Sequence, residues 1–187
     1  MSNPSLAIVV AEDDRHKMLA YRYLKKRGLS PRIEVSPSGR GSAENWVRKR
    51  FAKEVSVYRR RHAQTALIVM IDADTGTVED RLRQLAEALR EAGEPPIDTK
   101  TERIARMVPK RNVETWILCL NGHAVNEEDD YTLRPNWSRW VHHADWSKWI
   151  PPGVETLVDW TQSKDEPPNH CVDSLRSCIN ELRRLRF

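Results

Sequence analysis

Residues 66–77 read ALIVMIDADTGT and join the most strand-like run of the chain to its densest local chemistry. Leu67, Ile68, Val69, Met70 and Ile71 form an unbroken apolar run with β-branched members. That is the pattern of a strand buried on both faces in a parallel sheet covered by helices. Asp72 and Asp74 follow at once. In an extended chain, residues two apart point to the same side and lie ~6.6 Å apart. Both carboxylates would then sit at the carboxyl end of the strand, where open α/β sheets hold their ligands. At an effective dielectric of about 20 their repulsion is on the order of 2.5 kcal/mol, so a cation between them is expected and removing either charge should stabilise the cation-free protein. The alternative is that one aspartate caps the next helix, a role that contributes about 1 kcal/mol. Thr77 fits that role better: it precedes Val78, has Asp80 three residues on, and is followed by Val78, Leu82, Leu85, Ala86 and Leu89 at helical spacing up to Gly93.

Working outward, Leu6–Ala11 is a second buried-strand run, and it ends in Glu12, Asp13 and Asp14. A helix is expected over residues 15–27, with Leu19 and Tyr23, and Ala20 and Leu24, spaced by four and Gly28 as its stop. Residues 32–35 are a shorter strand, followed by the turn-forming loop SPSGRGS at 36–42. Ser42 can cap a helix whose apolar face is Val47, Phe51, Val55 and Tyr58. After the opening strand and its helix, residues 104–108 form a fourth strand ending at Pro109, Lys110 and Arg111, and Asn112 caps a helix with Glu114 in its first turn. This β-α-β-α-β-α-β-α order predicts an α/β fold with a mainly parallel four-stranded sheet and helices on both faces. The expected division is a catalytic domain over 1–122 and a Trp-rich C-terminal extension over 123–187 packed on it. In the extension, Trp137, Trp140, Trp146, Trp149 and Trp160 are interrupted by Pro135, Pro151 and Pro152, which suggests a helix-poor stretch before a final helix near 173–186.

The 187 residues carry 31 basic and 27 acidic side chains, a net charge of +4 that suits a polyanionic partner without requiring one. Cys119, Cys171 and Cys178 have no close pairing pattern and read as free thiols, no apolar run approaches a membrane span, and no secretory leader is evident; a soluble cytoplasmic protein is expected. His142 and His143 lack the partner spacing of a zinc site.

Three of the four strands thus end in reactive side chains: Glu12 to Asp14, Asp72 with Asp74, and Lys110 and Arg111 with Glu114. Carboxylates along one sheet edge bind Mg²⁺ or Mn²⁺, and such ions act on phosphates. A first strand ending in glutamate and a third ending in DxD resemble the TOPRIM domain of topoisomerases, bacterial primases, RecR-type proteins and OLD-family nucleases, over residues 6–122. The resemblance implies a metal-dependent nuclease in which Glu12 is a metal ligand or acid/base and Asp72 and Asp74 hold Mg²⁺. Lys110 or Arg111 would be the basic residue set against the transition-state charge. Glu114 joins the catalytic group, and Glu79, close after Asp74, is a further candidate ligand. TOPRIM sequences usually have glycine after the glutamate and often an acidic residue four positions on; here Asp13 and His16 stand there, so Asp13 and Asp14 remain alternative ligands.

With no primase-type zinc ribbon, no room for a strand-passage domain and no GxxxxGK[ST], the expectation narrows to a nuclease of DNA or RNA in a defence or repair system. Its ATPase, if it uses one, would be on another chain, and the protein itself could form homo-oligomers. Arg40 in the SPSGRGS loop, the arginines Arg48, Arg59 and Arg60, and Arg111 are the nucleic-acid-binding candidates, against the plainer reading of a turn and a solvated helix face. Two other readings compete. A non-catalytic docking subunit would keep the fold without the activity. A DxD phosphatase would need the motif on its first strand and a threonine where Gly76 stands.

Overall fold

The computed structural model describes residues 4–37, 42–61, 64–131 and 146–187. Arg40, Trp137, Trp140, His142 and His143 lie outside the described residues.

Four parallel strands, β1 (Leu6–Ala11), β2 (Ser30–Val35), β3 (Thr65–Met70) and β4 (Ile104–Met107), form one sheet in the order β2-β1-β3-β4. The apolar runs found in the sequence are the two central strands, β1 and β3, and every residue of β3 is buried. Side chains alternate between two cores, as the period of a strand requires. Ala7, Val9, Ala11, Ile68 and Met70 face a core built with α1 (Asp14–Lys26) and α4 (Val113–Leu120). Ile8, Val10, Leu67 and Val69 face one built with α2 (Ala43–Arg61) and α3 (Val78–Glu91). The expected fold class and the presence of helices on both faces hold.

The C-terminal segment supplies two more helices, α5 (Trp146–Gln162) and α6 (Asp173–Leu185), and their apolar residues Ile150, Leu157, Leu175, Ile179 and Leu182 belong to the same core as α1 and α4. The expectation of a helix-poor stretch is corrected here, because α5 runs through Pro151 and Pro152. The prolines have no N–H, so they give no ladder bond to the carbonyls of Ser147 and Lys148. Asn121 Nδ2, 2.9 Å from the carbonyl of Trp149 and 2.7 Å from that of Ile117, ties the adjoining turn of α5 to α4. Gly153 permits that approach, since a Cβ there would stand 3.1 Å from Asn121 Nδ2 and 3.3 Å from Leu120 Cβ.

The outer edge of β4 would expose unpaired backbone groups, and α6 satisfies them with side chains. Glu181 accepts from the Arg106 N–H at 3.2 Å, and Ser174 Oγ accepts from that of Lys110 at 3.2 Å. Arg184 donates to the carbonyls of Thr99 (3.0 Å), Glu102 (2.8 Å) and Ile104. Arg184→Ala should therefore leave several carbonyls without their donor and cost about 1–3 kcal/mol. In a chain of this size each kcal/mol shifts the melting temperature by about 2–4 °C. An unchanged melting temperature would mean that solvent replaces these bonds without loss.

Candidate metal centre

β1 and β3 lie side by side in register, with Ala11 opposite Met70, yet the chain leaves them toward opposite faces, into α1 and into α3. This is a topological switch point, the place where an open α/β sheet forms a crevice. The pairing continues one residue past the strands through Glu12 N–H to Met70 O at 3.2 Å. The Glu12 carboxylate then accepts the Asp72 N–H at 2.9 Å, so a side chain takes over where the ladder ends.

Asp13 is the N-cap of α1; its Oδ1 accepts the backbone N–H of Arg15 at 2.9 Å and of His16 at 3.0 Å. The same oxygen is 2.8 Å from His16 Nδ1, while His16 Nε2 is 2.9 Å from Asp72 Oδ1. His16 is completely buried and bridges the two strand ends. Burial alone would lower its pKa, but the Asp72 charge and the hydrogen bonds to Asp13 and Asp72 outweigh this and hold it at about 10. Burial raises Glu12 to about 7, with the Asp72 and Asp74 charges adding to the rise and the Asp72 N–H and His16 opposing it. Burial would raise Asp13 too, yet its hydrogen bonds to His16 and the charges of His16 and Arg15 keep it well below the usual carboxylate range.

Glu12, His16 and Asp72 each offer a donor atom, and these atoms lie within 4.8 Å of one another, which makes them a candidate metal-binding group. Asp74 is not in that group. The chain stays paired to β4 through Ala73, whose N–H continues the ladder to Pro109 O at 2.8 Å after that of Ile71 to Met107 O at 3.2 Å; it then turns, with Asp74 at φ +56° and Gly76 N–H closing back on Ala73 O at 3.0 Å. The same-side geometry expected for Asp72 and Asp74 therefore does not apply, because one residue in the left-handed region breaks the alternation. Asp74 remains electrostatically coupled; burial and the Asp72 charge raise its pKa against the pull of Arg81 and Arg111.

The other candidates are placed as follows. Glu114 is 2% exposed and ion-paired to Arg15, which also lies 3.5 Å from Asp13, so it joins the centre through an arginine. Lys110 Nζ stands 3.6 Å from Glu128, and Arg111 is 3.3 Å from Asp130. Glu79 is exposed in the first turn of α3, outside the group. Arg48 lies 3.4 Å from Glu44 on its own helix. α2 runs back from the carboxyl edge of the sheet toward the amino edge, so Arg59 is roughly 16 Å down the helix from Arg48. Arg59 spends all five donors on Glu94, Glu102 and the carbonyls of Pro95 and Pro96, and Arg60 bonds Ser56 beside it. Of the nucleic-acid-binding candidates, Arg59 thus clamps the loop before β4 with every donor engaged and has none left for a phosphate.

His16 is the residue that sequence reading missed. Its signal was local: an N-cap aspartate followed three residues on by a side chain that can reach back, as in a capping box, and a position where TOPRIM sequences often carry an acid. No family model, curated protein or solved structure matches the chain. Among the described residues no helix is long and apolar enough to cross a membrane.

Repulsion alone would make loss of either aspartate stabilising, but the two environments differ. Asp74→Asn, which tolerates positive φ, should raise the melting temperature of chelator-treated protein by roughly 1–3 °C, small because the site is exposed. Asp72→Asn should lower stability by roughly 1–3 kcal/mol, since it strips a buried imidazolium of one of its two carboxylates. Equal and positive shifts in differential scanning calorimetry would show that the His16 bridge contributes nothing.

The pH dependence has a definite sign. His16 and Glu12 both have folded pKa values above their ordinary 6.5 and 4.5, so the folded state binds more protons than the unfolded one between pH 4.5 and 10. Stability is lost as pH rises through that window, up to about 7 for Glu12 and up to about 10 for His16. Chelator-treated protein should melt several degrees lower at pH 9 than at pH 6, and a flat profile would contradict these environments.

Proposed function

We propose that the protein is a metal-dependent nuclease, a phosphodiester hydrolase acting on DNA or RNA, with a TOPRIM-like arrangement of its strand-end acids. The observation that carries this reading is the group Glu12, His16 and Asp72 at the crevice between β1 and β3, with Arg15, Lys110 and Arg111 on the chain segments that border it. A divalent cation held there, Mg²⁺ or Mn²⁺, would supply positive charge to a bound phosphate and lower the pKa of a water. Glu12 and Asp72 would supply carboxylate oxygens to that ion. Among the described residues Lys110 Nζ is ion-paired to the exposed Glu128 at 3.6 Å, a contact that costs little to exchange for a phosphate. Arg111, on the same turn, is paired to the half-buried Asp130, which also accepts from Asn112. A role in a defence or repair system beside a separate ATPase belongs to the same proposal and rests on the TOPRIM resemblance.

One observation favours the second reading, a docking subunit: Arg15, His16, Lys110 and Arg111 each already face a carboxylate of this chain, so the charges balance without a substrate. The test is incubation of the full chain with plasmid, single-stranded DNA and RNA in Mg²⁺ or Mn²⁺, with EDTA controls. Metal-dependent cleavage lost in Asp72→Asn is expected. No cleavage together with no metal binding would leave the docking reading.

Lys110→Ala should lower the single-turnover rate by about 10²–10³-fold, the usual effect of losing one preorganised charge, while affinity measured in Ca²⁺ changes little. An unchanged rate with weakened affinity would make Lys110 a binding residue only.

A further inference from the structure

The centre between β1 and β3 combines two carboxylates with an imidazole whose direction is fixed by the backbone. Asp13 Oδ1 is held by the N–H groups of Arg15 and His16 at 2.9 and 3.0 Å, so it cannot move without uncapping α1. His16 Nδ1 lies 2.8 Å from that oxygen, which assigns the Nδ1 proton to Asp13 and turns Nε2 toward Asp72 at 2.9 Å. A carboxylate behind the far nitrogen of a buried histidine is the outer support commonly found behind metal-bound imidazoles. The spacing also fits an ion. Neighbouring ligands of a six-coordinate cation at about 2.1 Å stand roughly 3.0 Å apart and opposite ones about 4.2 Å. The donors of Glu12, His16 and Asp72 lie within 4.8 Å of one another, so drawing them onto one ion takes shifts of roughly half an ångström.

We infer that the cation of this centre is a first-row transition ion, preferred over Mg²⁺, bound by Glu12, Asp72 and Nε2 of His16, with Asp13 as the positioning carboxylate. The inference rests on the metal-dependent reading above and specifies its cofactor. Mg²⁺ takes oxygen ligands and sheds water reluctantly, whereas Mn²⁺ and Zn²⁺ accept an imidazole beside carboxylates. On binding, the ion replaces the proton on Nε2, which leaves to solvent, and the Nδ1 proton stays on Asp13's side of the ring.

The test uses the full chain, stripped with a chelator and titrated calorimetrically with Mn²⁺, Zn²⁺ and Mg²⁺, with pulsed electron paramagnetic resonance on the Mn²⁺-loaded protein. Binding of Mn²⁺ and Zn²⁺ at least about tenfold tighter than Mg²⁺ is expected, with nitrogen coupling to Mn²⁺. His16→Gln should abolish the coupling and bring Mn²⁺ within about threefold of Mg²⁺, while Asp13→Asn should weaken Mn²⁺ by about 10–100-fold. Should the buried His16→Gln variant fail to fold, the wild-type spectrum still decides. Equal Mn²⁺ and Mg²⁺ affinity without nitrogen coupling would overturn the inference and leave the nuclease reading standing. Tight, nitrogen-coupled Mn²⁺ without cleavage of any nucleic acid would uphold the inference and overturn the nuclease reading. No binding of any of the three ions would overturn both.

Discussion

The bridge from Asp13 through His16 to Asp72 is the contact on which the centre depends. Four carboxylates, those of Glu12, Asp13, Asp72 and Asp74, leave the chain within four residues of the ends of the two central strands. Two like charges 4 Å apart at an effective dielectric of about 20 repel by about 4 kcal/mol, a large part of the 5–15 kcal/mol that holds a typical domain together. The fold distributes this charge. Asp13 and Asp72 share an imidazolium, Glu12 takes a backbone N–H and a pKa near neutrality, and Asp74 turns away through a left-handed residue. Arg15 beside Asp13, and the charges of Arg81 and Arg111 acting on Asp74, offset the rest.

The same compensation extends around the carboxyl edge and ties the C-terminal segment to it. Glu114 sits buried in α4 against Arg15 of α1, and the acidic stretch after α4 returns to the β4–α4 turn through Glu128 to Lys110 and Asp130 to Arg111 and Asn112. Glu127 accepts the Ser174 N–H at 3.1 Å and so caps α6, whose own N-cap residue, Val172, has no side chain able to do so. Ser174 in turn receives the Lys110 N–H and the indole of Trp116 at 2.7 Å. The basic residues proposed to meet a phosphate are therefore held by a segment that also fixes the last helix.

The fold was legible in the sequence wherever burial dictates composition. β1 and β3 had to be continuous apolar runs because both faces are covered, and Thr77 and Asn112 cap their helices as their positions suggested. What escaped was set by tertiary context. α5 carries two prolines, and only the Asn121 bonds and the close approach at Gly153 show how it packs against α4. On α3 the inward position is Arg81, ion-paired to Glu44, and not the exposed Ala86, because a charge with a partner can be buried where its stem packs. The Asp72 to Asp74 spacing implied an extended chain, which holds through Ala73 and ends at Asp74, where φ is positive and Gly76 N–H turns back to Ala73 O.

His16 illustrates the general difficulty. A histidine three residues after a capping aspartate is ordinary by composition, and its significance arises only because β3 delivers Asp72 to its other nitrogen from 56 residues away. The capping bond is local and forms with the helix, whereas the Asp72 contact needs the β1–β3 pairing in its correct register, Ala11 against Met70. A slip of one residue would turn β3 over and take Asp72 off His16, leaving a buried charge with one partner instead of two. The bridge that builds the centre is thus also a register check on the two central strands, and one constraint serves both the fold and the chemistry placed at its edge.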